Sequence, residues 1–245
     1  MNLLTWSVTA AGFGTAALSG VAGVGGGTIL IGVLYAVGLA PTSAVPLFAT
    51  VQFVSNTSRT VAYLRAVEWR AAGWFLLACV PSTFLVAPLV ERVDANIVRL
   101  VLAALILASL VPGKEGEPLK PVPAFVLAGL LNGSLGMFVG ATGLFVGRLF
   151  LRPEWKKETV IGTLALTQSL GHLLRVAGYG SVGFTVTDQM DLLLPLVIAV
   201  ILGTVVGKAL NQRLDEEKFR GLFKIILIVL SAKLIWDGAR GLEWI

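Results

Sequence analysis

Charge is scarce in this chain. Only 13% of its 245 residues are Asp, Glu, Lys or Arg, against about 25% in an ordinary soluble domain. With 56% hydrophobic residues and a mean hydropathy of +0.86, such a chain is expected to be a polytopic membrane protein. Cysteine is nearly missing: Cys79 stands alone in an apolar run, so no intrachain disulfide can form. There is a single histidine, His172, and no Cys/His/carboxylate cluster, so neither a metal nor another cofactor is expected. The first twenty residues lack a basic n-region and are not read as a cleaved signal peptide. Long polar gaps are also missing. The longest is "PGKEGEPLKPVP", 112–123, which leaves no room for a sizeable soluble domain. The net charge of +5 sits in loops and is not read as a nucleic-acid surface.

What the chain has instead is apolar runs in a repeated order. They fall at about 3–40, 44–64, 69–90 and 97–111, then 122–151, 158–178, 189–210 and 219–239. A shift of 113 lays Leu18, Gly20, Gly23 and Gly27 on Leu131, Gly133, Gly136 and Gly140, and Arg59 on His172. A shift of 121 lays "RVDANIVR" (92–99) over "RLDEEKFR" (213–220), with Asp94 and Asp215 as helix N-caps. The expected organisation is a first repeat over 1–112, a connecting loop over 113–121 and a second repeat over 122–245. Internal duplication in a membrane chain points to a transporter.

The first run is too long for one crossing: Leu3 to Ala40 would measure about 57 Å as a helix, against a core of about 30 Å. Its counterpart divides into stretches of about 24 and 18 Å, neither of which comfortably spans. Each is therefore read as a re-entrant or broken-helix hairpin followed by three transmembrane helices. An odd number of crossings inverts the second half. The basic residues agree. Twelve fall in 65–70, 112–121, 148–157 and 208–220, the segments an inverted model puts in the cytoplasm. Four, Arg92, Arg99, Arg175 and Arg240, fall outside. Both termini are then external.

"GVAGVGGGTI" (20–29) carries five glycines in ten residues. No lysine follows Gly27, which excludes a Walker A loop. Two readings remain. One is a GxxxG packing face through Gly23–Gly27 and Gly136–Gly140. The other is a hairpin tip, where a helix resuming near Thr28 aims free N–H groups at an anion. Gly25, Gly26, Gly27, Thr28, Gly140 and Thr142 are the candidate tip residues. The second runs are too polar for lipid. Gln52, Ser55, Asn56 and Arg59 share one helical face, and Thr163, Thr167, Gln168 and His172 nearly repeat it. These stripes are read as lining a substrate pathway. Taken singly, Arg59 also suits snorkelling, His172 a structural hydrogen bond, and Arg175 an interfacial position. A rival arrangement pairs Ser134 or Ser169 with His172 as an intramembrane hydrolase, without a matched acid. Another rival is an anion channel.

"SGVAGVGGGTILIGVLYAVGLAPTSAVPLFATVQFVSNTSR", "GLLNGSLGMFVGATG" and "IGTLALTQSLGHLLRVAGYG" resemble the signatures of the sulfite exporter TauE/SafE family, the toluene sulfonate uptake permeases. The resemblance covers essentially the whole chain. It implies a prokaryotic inner-membrane secondary transporter of small sulfur-containing anions, working by alternating access. The expected partners are that anion, the lipid bilayer and protons as a coupling ion, with His172 as the group able to titrate. A homo-oligomer is compatible with this reading.

Overall fold

In a computed structural model, which describes residues 3–22, 26–111, 119–211 and 216–244, the chain is all helical, with no strand among the described residues. The first half holds α1 (Leu3–Ala22), α2 (Gly26–Ala36), α3 (Pro41–Ala62), α4 (Trp69–Val86) and α5 (Ala95–Leu110). The second holds α6 (Pro121–Gly133), α7 (Leu135–Val139), α8 (Gly143–Val146), α9 (Lys157–Ser181), α10 (Met190–Asn211) and α11 (Glu216–Gly241).

Local chemistry explains several boundaries. Pro41 opens α3, where its missing N–H costs nothing. Asp94 caps α5, its carboxylate accepting from the Asn96 N–H at 2.6 Å. The equivalent cap at Asp215 lies outside the described residues. Large apolar side chains point outward from α4, α10 and α11, among them Leu77, Leu85, Ile198, Val205, Ile225 and Val229. Hydrocarbon is the solvent that suits such a surface. Trp6, Trp69, Trp236 and Trp244 are exposed, as interfacial anchors are.

The long first run is two helices that pack against each other, α1 and α2. The second run folds back likewise. Arg152 donates to the Leu119 carbonyl, so the chain entering α6 and the chain leaving α8 lie side by side. One expectation needs correcting. Pro121–Val139 forms a stretch of 19 residues, long and apolar enough to cross a membrane. The helix runs on past Met137 to Val139, with only a local irregularity at Ser134. Each fold-back therefore pairs a long arm with a short one.

The packing partners are α1 with α10, α4 with α6, α3 with α9 and α5 with α11. Close glycine contacts give their directions. Gly12 meets Leu196 and Gly207 meets Ala17, so α1 and α10 run parallel. Gly129 meets Phe75 and Gly133 meets Ser82, so α4 and α6 do too. By contrast, Phe48 meets His172 edge-on while Gly162 meets Tyr63, so α3 and α9 are antiparallel. Gly238 meets Leu100 and Gly241 meets Asn96, so α5 and α11 are antiparallel as well.

One end of the bundle collects basic residues. There Glu68 N donates to Thr163 Oγ1 at 2.9 Å, and Arg148 donates to the Ser109 and Val111 carbonyls at the end of α5. Arg65, Arg70, Lys120, Arg152, Lys156 and Lys157 border the same loops. The opposite end brings together the end of α2, the start of α5 and the end of α11.

Candidate substrate site

α9 presents Gln168, His172, Arg175 and Tyr179 along one face, at i, i+4, i+7 and i+11. All four are buried. Arg175 does not lie at the interface, as its place near a predicted helix end suggested. It is 1% exposed and is the bulkiest fully buried residue of the core. Two causes are visible. The helix continues to Ser181, which leaves Arg175 about 9 Å from its end. And Gly136 has no side chain, which makes room: a Cβ there would collide with the guanidinium.

Neutral groups hold Arg175. Nη2 donates to the Asn132 carbonyl at 3.2 Å and to Asn132 Oδ1 at 3.1 Å. Nη1 donates to His172 Nδ1 at 2.8 Å. A guanidinium has donors only, so Nδ1 accepts and the imidazole is the neutral Nε2–H tautomer. Nε of Arg175 has no partner. Among the described residues, no carboxylate bonds to this cation. Asn132 also donates from Nδ2 to Thr142 Oγ1 at 2.8 Å and to Gln168 Oε1 at 3.4 Å. The Gln168 amide nitrogen is buried without a partner.

The second tip lies against this cluster. Gly140 turns the chain at φ +78, a conformation open to glycine and strained for L side chains. The last carbonyls of α7 are satisfied from two directions: Tyr179 Oη donates to the Met137 carbonyl at 2.7 Å, and Tyr35 Oη to the Phe138 carbonyl at 2.7 Å. Tyr35 comes from α2, so the two fold-backs touch. Phe48 of α3 joins them. Its ring meets His172 edge-on at 5.4 Å and faces both Gly27 and Gly140.

The structure thus gathers Thr142, Gln168 and His172 around Arg175, with Gly140 at the adjoining turn. Gly26, Gly27 and Thr28 start α2, with Gly27 against the Gln52 side chain. Gly25 lies outside the described residues. Asn56 donates back to the Gln52 carbonyl at 2.9 Å, and Arg59 is half-buried on the same helix. Two candidates stand apart from the cluster. Thr163 accepts from the α3–α4 connection, and Thr167 donates to its own helix. Ser169 bonds to Thr57 at 2.6 Å and Ser134 to the Leu130 carbonyl. Both serine hydroxyls are thus engaged elsewhere, and His172 Nδ1 is taken by Arg175.

Sequence reasoning missed Asn132, Phe48 and the burial of Arg175. One signal was available. α3 and α9 begin at Pro41 and Lys157, an offset of 116 rather than the 113 that suits the glycine clusters. At 116, Gln52, Arg59 and Tyr63 fall on Gln168, Arg175 and Tyr179.

The structure therefore presents a buried cation with neutral partners beside the Gly140 turn. A family model described as "Sulfite exporter TauE/SafE" matches residues 8–234. The chain belongs to this family. The TauE/SafE model covers both fold-backs, all of α9 and nearly all of the remaining helices. A similar protein, the "Probable sulfite/organosulfonate exporter TauE" of Cupriavidus necator, is 24% identical over 230 residues, covering 88% of this chain and 87% of that protein. No solved structure matches. Membership makes the chain a multi-pass membrane transporter and not an enzyme.

Proposed function

We propose that this transporter carries a small sulfur oxyanion, sulfite or an organosulfonate, and binds it beside Arg175 between two inverted repeats. One observation carries the reading: Arg175 is buried, and all its hydrogen-bond partners among the described residues are neutral. A lone arginine at membrane depth costs roughly 3 kcal/mol or more. An arriving anion offsets that cost, because it supplies the counter-charge that the fold leaves out. Thr142, Asn132 and the free amide of Gln168 add uncharged donors suited to sulfur-bound oxygens. Gly27, Thr28 and Gln52 offer the corresponding groups from the first repeat, with Asn56 and Arg59 beyond them.

The repeat assignment, 1–112 and 122–245 joined by 113–121, draws on the helix directions. Exchanging the halves turns the α1–α10 pair into α6–α4, and returns α3–α9 and α5–α11 to themselves. A two-fold axis that makes self-paired helices antiparallel lies across the helices, in the membrane plane. An axis along the membrane normal would make them parallel. The basic end is assigned to the cytoplasm of a prokaryotic inner membrane, which leaves both termini external. Alternating access then rocks one repeat against the other.

Protons are the coupling ion in this reading. Nδ1 of His172 accepts from Arg175, so a fully protonated ring has to let the guanidinium go. A proton arriving at His172 thus frees Arg175 for the anion. A thermal-shift screen of the purified protein tests the binding step. Sulfite, thiosulfate, taurine and short sulfonates are compared with chloride on wild type and Arg175→Gln. Stabilisation by at least one sulfur anion, absent in the variant, is expected. Equal stabilisation of both proteins would refute the site.

A further inference from the structure

At the end of the bundle opposite the basic loops, an open recess of about 430 Å³ lies between α2, α5 and α11. Tyr35, Gly38, Arg99, Asp237 and Arg240 line it. All come from helix ends, and Trp236 and Trp244 nearby are exposed, so the recess sits at interface level. Its two arginines come from different helices. Arg99 is oriented by Asn96, whose Oδ1 accepts from Nη1 at 2.6 Å. Asn96 is itself packed against Gly241. Nε of Arg99 has no partner. The one carboxylate in the lining is already engaged: both Asp237 oxygens accept from Lys233 Nζ, at 2.7 and 2.6 Å. The arginines therefore face the recess uncompensated by it.

This placement runs against the charge bias of the chain. Among the described residues, Arg65, Arg70, Lys120, Arg148, Arg152, Lys156 and Lys157 gather at the opposite end, while Arg92, Arg99, Lys233 and Arg240 lie toward this one. Two of those four line a single recess, and Lys233 is paired with Asp237. The recess also reaches the machinery. Tyr35, its most buried lining residue, donates to the Phe138 carbonyl on the tip whose Gly136 faces Arg175.

From these contacts we infer that the recess is an anion vestibule: Arg99 and Arg240 concentrate a small sulfur oxyanion at this face and pass it by way of Tyr35 and the second tip to Arg175. The inference rests on the carrier reading above. The recess is much larger than such an anion, so it collects by field and not by fit. A lipid headgroup phosphate presents the same oxygens, and the vesicle composition distinguishes the two sources.

The test measures radiolabelled sulfite flux in oriented proteoliposomes made from phosphatidylcholine alone or with phosphatidylglycerol. Arg99→Gln/Arg240→Gln is expected to lower Vmax/KM about tenfold, the lower range of electrostatic steering. Sulfite affinity by thermal shift stays at the wild-type value, because the core site is untouched. Raising salt on the recess side alone lowers Vmax/KM of wild type and not of the variant. Arg240→Gln alone, at an exposed position, moves in the same direction by less. An unchanged Vmax/KM, or equal salt responses, would overturn the proposal. So would an effect confined to vesicles containing phosphatidylglycerol, which assigns the recess to a headgroup. Failure of the carrier reading looks different: wild type would then show no sulfite flux, or Arg175→Gln would keep it.

Discussion

Arg175 and Asn132 are joined at two points, Nη2 of the arginine donating to both the main-chain and the side-chain oxygen of the asparagine. Asn132 passes that fixed position on to Thr142 through its own amide. Replacing Asn132 by Asp would set a carboxylate against the guanidinium. The buried cation would gain the counter-charge that the fold withholds. Asn132→Asp is therefore expected to abolish sulfite flux while leaving the melting temperature equal or higher. Asn132→Ala loses an acceptor for Arg175 and a donor for Thr142. It is expected to lower both flux and stability, the latter by about 1–3 kcal/mol. Flux in proteoliposomes and thermal unfolding in detergent check the pair.

Gly140 holds the second tip at φ +78, and an added Cβ would sit 2.9 Å from Ile31. Gly140→Ala combines backbone strain of about 1–3 kcal/mol with that overlap. A lowered melting temperature and slowed transport are expected. Gly143→Ala is the control, since nothing lies within 4 Å of its added Cβ. It should match wild type in both measurements.

Much of this fold was legible because lipid leaves the sequence few options. Apolar runs had to be helices, and the 3–40 run was too long not to fold back. The polar stripe at Gln168 and His172 announced an interior face. Asp94 announced the start of α5. What stayed hidden depended on neighbours distant in sequence. Asn132 reads as one polar residue in an apolar helix until Gly171 brings α9 against it. Arg175 looked interfacial because its distance from a loop was counted along the chain, and the space that Gly136 opens for it lies 39 positions away. An offset of 116, which lays Gln52, Arg59 and Tyr63 on Gln168, Arg175 and Tyr179, is masked in the sequence by the glycine clusters that match at 113.

Tyr35 and Tyr179 satisfy neighbouring carbonyls of the same tip from different helices. Each change to Phe leaves one buried carbonyl without its partner. Tyr35→Phe and Tyr179→Phe are each expected to destabilise by about 1–2 kcal/mol. Because both bonds hold one short segment, the double variant should cost less than the sum of the singles. A double-mutant cycle on thermal or denaturant unfolding checks this. Strict additivity would mean that the two hydroxyls act independently.

Thr57 and Ser169 approach within 2.6 Å where α3 crosses α9. In a Cys79→Ala background, Thr57→Cys/Ser169→Cys is expected to form a disulfide on mild oxidation. If the repeats rock against each other about this crossing, the oxidised protein stops transporting and reduction restores it. Full transport by the cross-linked protein would argue against relative motion there.

The central claim is that Arg175 holds the transported anion. Its most direct test is the initial rate of radiolabelled sulfite uptake by proteoliposomes containing wild type, Arg175→Gln or Arg59→Gln, each matched for protein inserted and for melting temperature. Losing a charge-assisted contact of about 1.5–3 kcal/mol predicts a fall of roughly ten- to hundredfold in Vmax/KM for Arg175→Gln. A smaller fall is expected for half-buried Arg59. Wild-type uptake by a folded Arg175→Gln protein would contradict the account.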